Sequence, residues 1–117
     1  MEKIKIIIID DEIEYINALE QGLEMLGYNV LTASNGIEAI EKIEKENPKV
    51  ILCDYKLGDI DGTHIIKKTN NKERIYIMIT AYYDENVENR FKSLGAHYVI
   101  FKPINILDIH KKIKTLL

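Results

Sequence analysis

Several features that would place a chain in a familiar class are scarce here. There is one cysteine in 117 residues, Cys53. It can form no internal disulfide, and such usage fits a reducing cytoplasm. Cys53 sits inside an apolar run, where a free thiol is expected to be buried. Tryptophan is absent and basic charge is not in excess: the formal net charge is −3. That balance argues against direct nucleic-acid binding by this domain, since such a surface is normally basic. No apolar run approaches the roughly 20 residues a bilayer span needs, and the N-terminus has no signal-peptide pattern. No Cys/His cluster with zinc spacing occurs. The three histidines His64, His97 and His110 show no i, i+4 pairing, which leaves them surface or capping roles. Repeats, low-complexity stretches and internal linkers are also missing, so residues 1–117 read as one domain with a single core.

What the chain does have is regular alternation between short apolar runs and longer segments of helical period. Ile4 to Ile9 is a β-branched run broken only by Lys5, and it stops at Asp10-Asp11. A run of that kind reads as a strand buried on both faces. Ile16, Leu19, Leu23 and Leu26 then recur at helical spacing, with Gly27 as a C-terminal stop. Asn29 to Ala33 forms a second strand. Asn35 caps a second helix with Ile37, Ile40 and Ile43 on its inner face, ending before Pro48. Val50 to Cys53 is the third apolar run, closed by Asp54. A loop-like Gly58-Asp59-Ile60-Asp61-Gly62 leads to a short helix through Ile65 and Ile66. Ile75 to Ile79 is the fourth strand, ending at Thr80. A helix bearing Val87, Phe91 and Leu94 closes at Gly95. Tyr98 to Phe101 is the fifth strand, ending at Lys102-Pro103, and Ile106, Ile109, Ile113 and Leu116 mark a last helix.

Five successive βα units with short connections imply a parallel sheet covered by helices on both faces. In such sheets the functional site lies beyond the carboxyl ends of the strands, where strand order reverses. The residues standing there are Asp10-Asp11, Asp54, Thr80 and Lys102. Taken singly, an Asp after a strand is a cap or turn former, Thr80 a helix cap and Lys102 a solvated charge. Asp61 and Glu12 are given cap and helix-dipole roles. Gathered at one edge, three carboxylates repel one another unless a cation neutralises them, and an all-oxygen set that retains water suits Mg²⁺. A carboxylate can also attack phosphorus to form an aspartyl phosphate. Lys102 could then pair with the transferred group, and the Thr80 hydroxyl could hydrogen-bond one of its oxygens.

With those residues in place, the sequence resembles the receiver domains of two-component response regulators, over essentially its whole length. Asp10-Asp11-Glu12 is similar to the family's acidic pair, and Val50-Ile-Leu-Cys-Asp54 to its phospho-acceptor strand. Ile77-Met-Ile-Thr80-Ala81 resembles the hydroxyl-bearing strand, and Gly95-Ala96 through Lys102-Pro103 the lysine strand. The resemblance implies a flavodoxin-like (βα)5 fold, a doubly wound five-stranded parallel sheet of order 2-1-3-4-5. It implies that Asp54 takes a phosphoryl group from a phosphohistidine on a sensor histidine kinase or histidine phosphotransfer protein. A downstream effector or output domain would then read the change. Mg²⁺ would be held by Asp11 and Asp54, by Asp10 through water and by the Lys56 carbonyl. Lys102 and the Ala81 N–H would hold the phosphoryl oxygens, with Thr80 moving toward them, and Lys102-Pro103 would be cis. Such a domain catalyses only its own phosphorylation and dephosphorylation.

Two departures from the family pattern bear on this. Gly58 stands where Pro is frequent, which makes the loop after Asp54 more mobile. Val99 occupies the usually aromatic position three before the lysine, and strand alternation turns Tyr98 to the opposite face. Lys56 and Tyr82, at positions that tune acyl-phosphate hydrolysis in the family, resemble the pair of single-domain phosphorelay receivers and imply a long phosphoryl lifetime. Kinase contact would fall on Ile13, Glu14, Ala18, Pro103 and Ile104, although helical period alone could equally pack Ile13 against the sheet. A pure binding module has no need of all five site residues. An aspartyl-phosphate hydrolase would carry a second Asp two past the nucleophile, where this chain has Lys56.

Overall fold

The computed structural model describes residues 3–81 and 84–117. Ten elements alternate along the chain: β1 (Lys5–Ile9), α1 (Ile13–Met25), β2 (Asn29–Ala33), α2 (Gly36–Glu46), β3 (Val50–Asp54), α3 (Gly62–Thr69), β4 (Ile75–Thr80), α4 (Glu85–Ser93), β5 (Tyr98–Phe101) and α5 (Ile106–Leu116). All strand pairings are parallel and the order is β2-β1-β3-β4-β5. Strand order reverses between β1 and β3, the crevice where such sheets place ligands.

The continuous apolar runs end up in the three central strands because both sheet faces there are covered. Side chains of β1 alternate between two cores. Ile6 and Ile8 join Ile16, Leu19, Leu23, Ile109 and Ile113 under α1 and α5, whereas Ile7 and Ile9 join Ala39, Ile43, Ile65, Ile66 and Phe91 under α2, α3 and α4. Cys53 lies in the second core, and burial pushes its thiol well above the usual range. It is an inert core residue.

Helix ends follow their capping chemistry. Asn35, Asp61, Asp84 and Asn105 each accept an N–H of the following first turn. Gly27 and Gly95 take the left-handed φ values of 97° and 117° that let the chain leave α1 and α4 sharply. Asn47 does the same for α2 just before Pro48.

Three expected inner-face residues sit farther out than their spacing suggests. Ile37 is 59% exposed, because α2 docks through Gly36, Ala39 and Ile43, which places Ile37 off that stripe. Leu26 and Leu116, each 37% exposed, lie at the C-terminal ends of α1 and α5. Ile13, 65% exposed at the start of α1, does not pack on the sheet. Among the described residues no helix is long and apolar enough to cross a membrane.

Candidate functional site

Strand register, set by the apolar runs, assembles the site. Ile9 pairs with Cys53, so the next residues, Asp10 and Asp54, leave the sheet side by side. Asp54 is opposite Ile79, and Thr80 is opposite Phe101, which puts Lys102 one step beyond Thr80. The Lys102 N–H continues the ladder to the Thr80 carbonyl at 2.9 Å. Residues far apart in sequence thereby surround one cavity of about 210 Å³, lined by Asp11, Glu12, Asp54, Lys56, Thr80, Ala81 and Lys102. Asp10 lies beneath it, 2% exposed.

Lys102 organises the charges. Its Nζ is 3.2 Å from Asp10 Oδ2, 3.5 Å from Asp54 Oδ2 and 3.5 Å from Glu12 Oε1. The same ammonium lies 4.7 Å from the centre of the Tyr15 ring, a cation–π contact from the first turn of α1. Partial burial alone would lower the Lys102 pKa. The Asp54 and Asp10 carboxylates outweigh it and raise the value above the ordinary one.

The carboxylates are not comfortable. Burial, with the Asp10 charge adding to it, pushes the Asp54 carboxyl up from 3.8 to about 6 despite Lys102. Burial likewise raises Asp10, against the opposing pull of the Glu12 N–H and Lys102. A site that holds acids above their usual range is short of positive charge. The donor chemistry says which kind. One carboxylate oxygen from each of Asp10, Asp11 and Glu12 lies within 4.8 Å of the others, and among the described residues neither sulfur nor imidazole lines the cavity. An all-oxygen set of this kind fits a hard divalent cation such as Mg²⁺ rather than zinc or copper.

Measured against the sequence reading, Asp10, Asp11, Asp54, Lys56, Thr80, Ala81 and Lys102 all come together. Glu12 departs from the expectation. It occupies the N-cap position of α1, but its side chain makes no capping bond and turns to Lys102 instead. Tyr15 was not singled out by sequence. A lone Tyr in a helix carries no such signal, since its contact with Lys102 exists only through the α1–β5 packing. Asp61 does cap α3, accepting from the His64 N–H at 3.1 Å. Thr80 is a buried strand residue, and Asp84 caps α4.

Val99 and Tyr98 point to opposite faces as expected. Val99 packs in the α2–α4 core with Phe101, and Tyr98 packs on the α1/α5 side. The Lys102-Pro103 bond is cis. Tyr82 lies outside the described residues. The histidines keep structural roles: His97 Nδ1 accepts from the Tyr76 N–H at 3.1 Å, and His110 Nδ1 shares a 2.6 Å hydrogen bond with the Tyr28 hydroxyl.

Comparison with known proteins identifies the family and the fold. Residues 6–114 match the response regulator receiver domain family. The alkaline phosphatase synthesis transcriptional regulatory protein PhoP of Bacillus subtilis is 33% identical over 97% of the chain and 48% of its own length. Sporulation initiation phosphotransferase F of the same organism is 32% identical over 97% of the chain and 93% of its length. The chain thus spans about half the length of several curated relatives it matches. Among solved structures, a CheY-like response regulator receiver domain protein of Methanospirillum hungatei JF-1 superimposes with a TM-score of 0.92 at 32% identity, covering 98% of this chain and 94% of that one. The fold is flavodoxin-like, and the chain belongs to the response regulator receiver domain family of two-component signalling.

Proposed function

We propose that this domain accepts a phosphoryl group on Asp54 and switches partner binding as a result. The observation that carries the reading is the Lys102 ammonium at 3.5 Å from Asp54 and 3.2 Å from Asp10, on the floor of a cavity open to a phosphoryl donor. The likeness to sporulation initiation phosphotransferase F, almost end to end, supports phosphoryl transfer as the chemistry.

In this reading an Asp54 carboxylate oxygen attacks the phosphorus of a phosphohistidine on a sensor histidine kinase or histidine phosphotransfer protein. The P–O bond forms, the P–N bond breaks, and its electron pair returns to the imidazole nitrogen. Lys102 and the Ala81 N–H hold the phosphoryl oxygens, and the Thr80 hydroxyl hydrogen-bonds one of them. Asp10, Asp11 and Asp54, with the Lys56 carbonyl, would hold Mg²⁺, and Glu12 adds a further carboxylate beside them. When bound, the ion supplies the positive charge that three repelling carboxylates and an incoming phosphate require. The domain acts on itself alone, and the setting is the cytoplasm. An effector or output domain reads the added charge. Ile13, Glu14, Ala18 and Pro103 are exposed and Ile104 is half-buried, which suits them to kinase docking.

The test is incubation with a small phosphodonor and Mg²⁺, followed by intact-mass measurement of wild type and Asp54→Asn. One phosphoryl group on wild type alone is expected. Addition to both proteins would move the acceptor elsewhere.

A further inference from the structure

The β3–α3 connection begins at Tyr55 and carries Lys56, a lining residue of the cavity. Its middle is Gly58, a residue whose backbone is free to vary. An added Cβ there would meet nothing within 4 Å, and the Gly58 N–H makes no backbone hydrogen bond among the described residues. The two ends of the loop are joined by an antiparallel Lys56–Asp61 bridge and by the Gly62 N–H donating to the Tyr55 carbonyl at 2.8 Å, which makes it a small hairpin whose tip, 57–60, is held from elsewhere.

The next residue supplies a restraint from another part of the chain. Asp59 Oδ1 accepts the Gly36 N–H at 2.9 Å and Oδ2 accepts the Ile37 N–H at 3.0 Å, while Oδ1 also takes the Ile60 N–H at 2.8 Å. The following N–H of α2, from Glu38, goes to Asn35 Oδ1 at 2.9 Å. The first-turn donors of α2 are therefore shared between a local cap and a carboxylate more than 20 residues away. Ile60 seals the seam: a Cβ on Gly36 would sit 2.1 Å from Ile60 Cγ1. Helix α2 and the loop are built to touch here.

We propose that Asp59 is a positioning residue for the reaction, strapping the β3–α3 loop to the first turn of α2 so that Lys56 is held at the cavity rim. The claim rests on the reading of Asp54 as acceptor, but the strap can be measured without it. Both carboxylate oxygens are in use, so Asn cannot replace Asp: its amide nitrogen would face a backbone donor.

Amide hydrogen exchange of metal-free wild type, Asp59→Ala and Asp59→Asn provides the first readout. Both variants should exchange about tenfold or more faster at Gly36, Ile37 and Ile60, with the increase spreading to 55–57, while Ile7 and Leu52 in the core strands keep wild-type rates. Phosphorylation by a small phosphodonor at saturating Mg²⁺ should slow about three- to tenfold in both. Adding Gly58→Pro to Asp59→Ala should restore loop protection and most of the rate, by restraining the loop another way. Wild-type exchange in Asp59→Ala would overturn the strap. Faster exchange at α2 with unchanged exchange at 55–57 and an unchanged rate would reduce Asp59 to a helix cap and overturn its positioning role. Absence of phosphorylation on wild-type Asp54 would refute the functional reading instead, with exchange at 55–57 still deciding the strap.

Discussion

Removing the charge of Asp54 should make the metal-free protein more stable. Its side chain is buried among like charges, and its carboxyl is raised from 3.8 to about 6. In the unfolded chain the same group titrates near its ordinary value. Between about pH 4 and 6 the folded state therefore keeps a proton that the unfolded state has lost, so stability falls as pH rises through that window. By about pH 7 the whole amount is gone, about 3 kcal/mol at about 1.4 kcal/mol per pH unit. Asp54→Asn preserves shape and leaves Lys102 paired with Asp10 and Glu12. A gain of about 1–3 kcal/mol at pH 7 is expected, or about 4–12 °C in Tm for a domain of this size. Thermal or urea unfolding in chelator at pH 4, 5, 6 and 7 is the assay. The gap between variant and wild type should be near zero at pH 4 and widen to pH 7. Mg²⁺ at ten times its Kd should then stabilise wild type by about 1.4 kcal/mol and the variant by less, narrowing the gap. A variant no more stable than wild type at pH 7, or a gap independent of pH, would refute the reasoning.

Three further outcomes follow from the same geometry. Gly36→Ala must displace Ile60 and should cost about 1–3 kcal/mol in urea unfolding. Gly62→Ala places a Cβ 2.4 Å from Met78 Cε and 2.9 Å from the Asp54 main-chain oxygen; it should cost a similar amount and slow phosphorylation too, since that oxygen cannot yield without moving the acceptor. Lys102→Met leaves Asp54 and Asp10 without their cation. Carboxyl titration by NMR should find Asp54 above its wild-type value, and phosphorylation should slow on the order of a hundredfold.

Much of this architecture was legible in the residues. Runs such as Ile6–Ile9 and Val50–Cys53, β-branched-rich and too short for helices, read as doubly covered strands, and each is followed by a polar residue at the edge of the sheet. That is why the sequence alone places Asp10, Asp54, Thr80 and Lys102 at one edge. What resisted reading depends on how elements stack. The start of α2 at the Asn35 cap is legible, but the face it docks is set by the close approach of Gly36 to Ile60, and Ile37, one position on, lies about 100° around the helix. Glu12 reads as a cap by position, yet Lys102 offers it a charge the helix end cannot match. Asp59 looks like an ordinary loop carboxylate, and no local pattern links it to donors more than 20 residues upstream. The loop carrying Gly58, where the sequence suggests mobility, makes at Asp59 a contact with the first turn of α2 that no local pattern announces.

Lys102 follows β5, a four-residue strand with only β4 beside it. Sheet margins open before sheet centres, and a short outer strand opens most easily. Any fluctuation that lifts β5 withdraws the ammonium from its acidic partners while the inner three strands stay intact. Reactivity should thus fade at a temperature below the melting of the domain, set by the least supported rung of the ladder.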